Sequence, residues 1–278
     1  MADFLARLVP PRWRRRPTVG IVRLAGAIGM PSLRGDGLSL AALAGPLDRA
    51  FALKNLQAVA LAINSPGGAA VQSSLIARRI RALAAEKQVP VLAFVEDVAA
   101  SGGYWLATAA DEIYADECSI VGSIGVIAAG FGFPELLQRL GIERRVHTAG
   151  PRKAMLDPFR PERPEEVARL AQLQQEIHDG FKAQIRERRG DRLKGDEGEL
   201  FSGDVWTARP ALARGLIDGI GDLRTILRGR FGDQVKLVPV EAPRGWLRRR
   251  LGLRLGGNWA DQAVAALDER ALWGRYGL

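Results

Sequence analysis

The chain has 278 residues, of which 47% are hydrophobic and 26% charged, and its formal net charge is +9. This composition supports one large or two small globular domains, and it excludes a disordered chain or a fibrous repeat. The single cysteine, Cys118, excludes an intrachain disulfide and an all-cysteine metal site. The chain has only two histidines, His147 and His178, which is too few for a His-rich metal centre and makes a His-based catalytic triad a poor expectation.

Short apolar segments alternate along the chain with segments of helical spacing. Strand length and β-branched content predict strands at residues 18–24, 58–63, 89–95, 113–115 and 145–148. Helices are predicted at residues 38–52, 69–85, 104–110 and 164–189. One stripe of the last helix is apolar and should pack on the sheet or on a neighbouring subunit: Val167, Leu170, Leu173, Ile177, Phe181 and Ile185. The alternation predicts an α/β domain with mostly parallel strands.

The positive charge is concentrated at the two ends of the chain. Residues 1–23 carry six Arg against one Asp, and residues 241–278 carry seven Arg against four acidic residues. A nucleic-acid-binding protein would spread basic side chains over a folded face, so no nucleic-acid partner is expected. Interspersed apolar residues such as Trp13 and Trp246 predict peripheral contact with an anionic membrane surface, although solvated basic tails explain the pattern equally well.

No stretch of the sequence predicts a secretion signal or a spanning helix. Residues 1–16 reach charge and proline before an apolar core accumulates, and the long charge-free stretches 55–77 and 118–134 are broken by glycine-rich turns. A spanning helix needs about 20 predominantly apolar residues. The expected location is therefore the cytoplasm, with peripheral contact at the inner face of the cell membrane.

The first motif is Asn64-Ser65-Pro66-Gly67-Gly68, which directly follows a predicted strand and precedes a predicted helix. Two adjacent glycines let the backbone come close to a ligand, and amides near a helix start can donate to a negative oxygen. A tight turn with a helix cap accounts for the same residues, and the motif alone does not separate the two interpretations.

The second motif places Ser101 between small residues, in Ala100-Ser101-Gly102-Gly103, where a strand gives way to a helix. A serine in such a turn is suited to act as an exposed nucleophile whose neighbouring amide serves an oxyanion hole. A plain helix N-cap is the alternative.

The third motif contains Lys153, one of only six Lys among 40 basic residues. A desolvated lysine amine can serve as a general base, because burial disfavours its charged form, whereas arginine cannot be deprotonated in a protein. A solvated loop lysine is the alternative.

Together these segments resemble the signal peptide peptidase A family of serine proteases, in its short, single-repeat form. The resemblance rests on NSPGG at 64–68, ASGGYWLA at 100–107, VGSIGVI at 121–127, AGPRKAMLDPFRP at 149–161 and VWTARPALARGLIDGIG at 205–221. It implies the fold of the Clp protease and crotonase superfamily, a spiral of β-β-α units with mostly parallel strands. The peptidase domain would span residues 17–240, between a basic N-terminal segment (1–16) and a basic amphipathic C-terminal tail (241–278).

The resemblance implies a Ser-Lys dyad that needs neither cofactor nor metal. Ser101 would be the nucleophile and Lys153 the general base, and the backbone amides of Gly68 and Gly102 would form the oxyanion hole. Two further hydroxyls, those of Ser65 and Ser123, are candidates for a supporting role. His147 is expected to be a strand residue and His178 a helix surface residue, both without a catalytic role.

The resemblance also implies an assembly and a substrate class. A homo-oligomer is expected in which the dyad is completed between neighbouring subunits, and the substrates would be remnant signal peptides and other short or unfolded apolar peptides. Two other functions remain open: a crotonase-like acyl-CoA enzyme, which would leave Ser101 and Lys153 unexplained, and a non-catalytic scaffold that binds membrane or peptides.

Overall fold

The computed structural model describes residues 16–30, 37–240, 267 and 269–278. These residues belong to two compact units, one drawn from Met1–Ile124 and Gln184–Leu278 and the other formed by Gly125–Ala183. Most of the basic N-terminal segment and of the C-terminal tail, with the membrane contact predicted for them, lies outside the described residues. The domain boundaries at residues 16 and 240 stay predictions.

The first unit is built on one sheet, which has eight strands among the residues that the structure describes. They are β1 (Thr18–Ala25), β2 (Leu56–Ser65), β3 (Val91–Ala100), β4 (Glu112–Ala115), β5 (Ile120–Gly122), β6 (Val205–Thr207), β7 (Gly219–Ile220) and β8 (Lys236–Pro239). The order is β6-β5-β3-β2-β1-β8, and β4 pairs with β3 and β7. Only the β5–β6 pair is antiparallel among these strands, which confirms the predicted α/β class with mostly parallel strands.

Helices follow the strands along the chain. They are α1 (Leu40–Phe51), α2 (Ala70–Lys87), α3 (Gly102–Ala107), α4 (Pro134–Arg139), α5 (Pro164–Arg189), α6 (Glu197–Leu200), α7 (Ala208–Ala213) and α8 (Leu223–Phe231). Local capping explains two of the starts: the Ser39 hydroxyl accepts from an amide in the first turn of α1, and the Asp222 carboxylate accepts from two amides of α8.

The central strands are buried on both faces. Residues 58–63 of β2 are all less than a tenth exposed, as expected for a parallel strand covered by helices. On one face, Val19, Ala60 and Phe94 pack with Leu227 of α8. The continuous apolar runs in the sequence therefore correspond to buried central strands, and the NSPGG and ASGG turns follow two of these strands.

Strand β3 changes neighbours along its length. Its first half, from Leu92 to Val95, pairs with β4, and its last residues, from Val98 to Ala100, pair with β5. The register against β2 shifts at the same place. Ile63 of β2 lies opposite Val95 of β3, but Ser65, only two residues further along β2, lies opposite Ala99, four residues further along β3. Residues 96–98 of β3 thus form a bulge.

Helix α3 is tied to the C-terminal part of the chain by Tyr104. This side chain is fully buried, and its hydroxyl donates to the Leu216 carbonyl at 2.7 Å. Burial raises the pKa of the Tyr104 phenol above its ordinary value, which keeps the hydroxyl protonated as a donor.

A buried ion pair anchors the end of α5. The Arg189 side chain is 1% exposed and contacts the Asp218 carboxylate at 2.7 Å, while it also donates to the Gly215 carbonyl. Asp218 accepts in turn from the backbone amide of Ile113 at 2.7 Å. Burial alone would raise the pKa of Asp218, but the hydrogen bonds and charge of Arg189 outweigh it, so the pKa lies below its usual range.

One predicted strand is wrong. Residues 145–148, with His147, form an exposed loop, because no strand lies alongside to pair with them among the described residues of their unit and β propensity without a partner does not make a strand. The apolar stripe of α5 is buried only at its C-terminal end, where Phe181 and Ile185 are at most 2% exposed while Val167 and Ile177 are each 41% exposed.

No helix among residues 16–30, 37–240 and the described C-terminal stretch is both long and apolar enough to cross a membrane.

Candidate active site

The NSPGG and ASGG turns follow neighbouring parallel strands. β2 ends at Ser65 and β3 at Ala100, so the two turns lie at the same edge of the sheet. They approach so closely that a Cβ built on Gly67 would lie 2.8 Å from the Cβ of Ser101. Because any side chain at residue 67 would displace Ser101, only glycine permits this contact.

Ser101 adopts a strained backbone conformation. Its φ of 52° and ψ of −121° lie in a region that non-glycine residues rarely occupy, and such a conformation costs about 1–3 kcal/mol. The surrounding structure holds it there: the Ser101 amide donates to the Gly122 carbonyl at 2.8 Å, and the Ser101 carbonyl accepts from the Trp105 amide at 3.0 Å. Strain of this kind is typical of functional turns.

Ser101 does not cap helix α3 with its side chain, which was the alternative that the sequence left open. Ser101 precedes α3, but its side chain accepts no hydrogen bond from the helix. The residue is half-buried between the buried Ala100 and Gly102. Its hydroxyl therefore does not serve the helix, and the residue remains partly accessible.

Two backbone amides lie side by side next to Ser101. A Cβ built on Gly102 would lie 3.4 Å from the Gly68 nitrogen, and one built on Gly68 would lie 2.2 Å from the Ile28 carbonyl oxygen. Neither the Gly68 nor the Gly102 amide donates to an acceptor within the described part of the chain. Ser101, Gly68 and Gly102 are thus brought together, and the two amides can donate to a negative oxygen.

The predicted supporting serines lie beside these turns. The buried Ser65 hydroxyl donates to the Gly26 carbonyl at 2.7 Å and accepts from the Gly67 amide at 3.3 Å. Ser123 follows β5 with a φ of 52°, and its amide donates to the Asp204 carbonyl at 2.6 Å. Ser65 thereby braces the glycine turn.

Lys153 belongs to the second unit. It lies in a turn over residues 151–156, its amide donates to the Gly150 carbonyl at 3.2 Å, and the residue is exposed in the single chain. The water-poor surroundings expected for a general base are therefore not supplied by its own unit.

Downstream of Lys153 the chain is held by polar contacts. The Asp157 carboxylate accepts from Arg144 at 2.9 Å and from the Phe159 amide at 3.1 Å. The hydrogen bond from Arg144, with that of the amide, holds the pKa of Asp157 below its usual range. Glu166 of α5 accepts from the Leu156 amide at 2.8 Å. The turn that carries Lys153 is thus fixed to α5 within the second unit.

Elsewhere in the described residues, neither a metal-binding cluster nor the cavity beside β1 involves the predicted site residues. No group of three or more His, Cys, Asp or Glu among them is arranged to hold a metal ion; His178 lies half-buried on α5. A cavity of about 500 Å³ lies between β1, β3 and the start of α8, with Arg23, Phe94 and Leu223 in its wall. None of the predicted site residues lines it.

Comparison with known proteins decides the family. The model of "Peptidase family S49" matches residues 84–230, just over half of the chain, and this segment contains Ser101 and Lys153. The chain belongs to peptidase family S49. It is a signal peptide peptidase A-like member of this family of serine-type peptidases, as the sequence motifs predicted.

Two relatives extend the similarity beyond the matched segment. A protein of Brucella abortus named Na(+)/H(+) antiporter NhaA is 53% identical over 100% of this chain, which corresponds to 39% of that protein. The chloroplastic serine protease SPPA of Arabidopsis thaliana is 34% identical over 75% of this chain and 31% of its own length. The chain therefore spans less than two fifths of either relative, and the antiporter name describes a protein of which most lies outside the match.

A solved structure confirms the fold of this S49 chain. The membrane-bound stomatin-specific protease 1510-N superposes with a TM-score of 0.50 and 16% identity, covering 81% of this chain and 98% of the other. At this identity the likeness concerns the fold alone, and it confirms the predicted Clp protease and crotonase type.

Sequence reasoning missed the side chains that shape the end of β3 in this family member. The sequence predicts Asn64 only as part of a turn, yet its side-chain oxygen accepts from the backbone amide of Val98, 34 residues away. No sequence motif points to Ser119, although its buried hydroxyl donates to the Val95 and Glu96 carbonyls. The only signal in the sequence was the position of Asn64 at the end of a predicted strand.

Proposed function

We propose that this chain is the peptidase part of a serine endopeptidase that uses Ser101 as nucleophile. The observation that carries the proposal is the strained Ser101 turn beside two amides, those of Gly68 and Gly102, with no acceptor in the described structure. A nucleophile next to preorganised donors is the arrangement that acyl transfer requires. Loss of one such donor typically lowers the rate about a hundredfold or more.

Lys153 serves as the general base. Its neutral amine takes the Ser101 hydroxyl proton while Oγ bonds to the scissile carbonyl carbon, and the proton then passes to the leaving nitrogen as the C–N bond breaks. A water molecule next gives a proton to the amine and attacks the acyl ester, and Ser101 regains its proton. Support for this role comes from the position of Lys153 in the segment that resembles the family motif.

The proposed substrates are remnant signal peptides and other short or unfolded apolar peptides. Extended peptides of this kind would bind through main-chain hydrogen bonds beside apolar pockets. The proposal rests on the family membership and on the resemblance of the sequence motifs to the signal peptide peptidase A family. A cytoplasmic location belongs to the same proposal and rests on the sequence.

A fluorophosphonate probe tests the proposed nucleophile. The wild-type chain is expected to form a covalent adduct at Ser101, detected by intact mass and peptide mapping, because the probe reacts readily with an activated serine. Ser101→Ala should remove the adduct, and Ser202→Ala, which changes an exposed serine, should not. An assembled wild-type sample that takes no label would contradict the proposal and favour the acyl-CoA enzyme or the scaffold.

The active form is proposed to be a homo-oligomer that encloses Lys153. The second unit exposes large apolar side chains that include Ile127 at 67%, Phe131 at 82%, Leu140 at 62% and Ile142 at 53%. Large apolar side chains exposed in such number are typical of protein interfaces. Burial of this surface by a neighbouring subunit would supply the low-dielectric surroundings that the base needs.

Charges on this surface should break the assembly. Phe131→Glu combined with Leu140→Glu is expected to convert an oligomer into monomers in analytical ultracentrifugation and to lower peptide hydrolysis at least about tenfold, since burying an unpaired carboxylate at an interface is unfavourable. A wild-type chain that sediments as a monomer and is fully active would refute the shared site.

A further inference from the structure

The bulge at residues 96–98 lies three residues before Ser101, and it determines how the end of β3 runs. After the bulge, Ala99 and Ala100 pair with β5, and Ala99 also lies opposite Ser65 of β2. Ala100 and Ser101 are adjacent, so any change in the path of the bulge moves the nucleophile directly.

Asn64 holds the bulge from the side of β2. Its side-chain oxygen accepts from the Val98 amide at 3.3 Å, and its side-chain nitrogen donates to the Asp97 carboxylate at 2.5 Å. Val98 is fully buried, so its amide needs a protein acceptor. The register shift breaks the regular β2–β3 ladder at this point, and the Asn64 side chain takes the place of a backbone partner.

The backbone of Asn64 is fixed independently of its side chain. Its carbonyl accepts from the Gly26 amide at 2.9 Å, and Ser65, the next residue, donates to the Gly26 carbonyl. The side-chain amide therefore extends from a rigid strand end that also carries the Gly67-Gly68 turn. One residue thus connects the glycine turn to the path of the nucleophile strand.

We propose that Asn64 is a positioning residue for Ser101: its side-chain amide, bonded to Val98 and Asp97, holds the β3 bulge that places the nucleophile against Gly67 and Gly68. The inference rests on the proposed function, because it concerns the same nucleophile. Misplacement of a reacting group by about 1 Å can lower a rate about a hundredfold. The donor and acceptor of the Asn64–Asp97 pair can be exchanged by mutation, which allows a test by rescue.

Asn64→Asp keeps an acceptor for the Val98 amide but directs a carboxylate at the Asp97 carboxylate. Repulsion should open the bulge and slow fluorophosphonate labelling of Ser101 by at least about tenfold per folded molecule. Asp97→Asn alone keeps an acceptor for Asn64 and should label within about threefold of wild type. The double variant Asn64→Asp/Asp97→Asn restores one donor and one acceptor in the reverse order, and it should recover labelling to within about threefold.

The matched control is Gln57→Glu, which makes the same amide-to-carboxylate change on β2 at an exposed residue whose side chain bonds only to the nearby Asn55 and Leu56 carbonyls. It should label at the wild-type rate. Thermal unfolding of every variant gives the folded fraction used to correct the rates. If Asn64→Asp does not fold, the double variant still tests the proposal. The proposal requires the double variant both to fold and to label, and failure of either contradicts it.

Three results would overturn the proposal. Folded Asn64→Asp that labels at the wild-type rate shows that the bulge does not control Ser101. If the double variant folds but its Ser101 still labels slowly, the hydrogen bond between residues 64 and 97 does not position Ser101. If the wild-type chain takes no label, the proposed function fails together with this inference, whereas labelled wild type with either of the first two results overturns the inference alone.

Discussion

Replacing Lys153 with Met is expected to lower kcat for peptide hydrolysis at least about a thousandfold and to leave the melting temperature nearly unchanged. Removal of the general base leaves the Ser101 hydroxyl protonated, and groups that act as a unit lose most of their effect together. Because Lys153 is exposed in the single chain, the free energy of unfolding of the dissociated subunit should change by no more than about 0.5 kcal/mol. Hydrolysis of an apolar peptide and thermal unfolding measure the two quantities.

Lys153→Arg separates a base from a simple positive charge. An arginine keeps the charge and much of the length of lysine, but its guanidinium cannot be deprotonated in a protein, so this variant should be as inactive as Lys153→Met. Lys54→Met, at an exposed lysine of the first unit, is the matched control and should retain wild-type kcat. Substantial activity in Lys153→Arg would mean that lysine does not act as the base. A large fall in melting temperature for Lys153→Met would mean that the amine is structural.

Asp218→Asn is expected to destabilise the first unit by about 3 to 5 kcal/mol at neutral pH. The substitution leaves the Arg189 guanidinium, 1% exposed, without its carboxylate. An asparagine oxygen at residue 218 can still accept from the Ile113 amide. The measured loss of stability therefore reports on removal of the negative charge beside Arg189 and not on loss of that hydrogen bond. Urea unfolding at neutral pH measures the difference in free energy.

The pH dependence of this difference has a defined sign. The pKa of Asp218 is depressed in the folded chain, so its contribution is fully present above about pH 4, the ordinary range of an aspartate, and is lost as the pH falls through the folded-state pKa. The gap between wild type and Asp218→Asn should therefore narrow in acid. Asp48→Asn, in a pair whose side chains are 40% and 51% exposed, is the control and should change stability by less than about 1 kcal/mol. An equal effect of the two substitutions would contradict the buried-pair argument.

The sequence predicted the long elements of the fold better than the short ones. β1 to β3 and the helices α1, α2 and α5 carry enough apolar periodicity to be recognised locally, and α5 has the predicted bounds, Pro164–Arg189. The short strand β4, with four residues, is predicted as well. The remaining strands have two to four residues each. Such strands form because distant partners pair with them, and no local pattern of their own predicts that pairing.

The candidate site was predictable where its chemistry follows from one turn. The glycines at 67 and 68 and the serine at 101 were placed correctly at strand ends, since parallel strands bring their carboxyl ends to one edge. The bulge and its contact from Asn64 were not predictable, because the register shift depends on β3 exchanging β4 for β5. The surroundings of Lys153 were not predictable either, since its own unit leaves it exposed.

The Tyr104 hydrogen bond to Leu216 has a consequence for synthesis on the ribosome. The helix that starts after Ser101 is anchored 112 residues downstream, and the Gly122 carbonyl that holds the Ser101 amide belongs to a strand paired with residues 205–207. A nascent chain therefore cannot complete these contacts around the Ser101 turn until residues 205–216 have been synthesised. We therefore expect the proposed nucleophile to stay inactive until that segment has been synthesised.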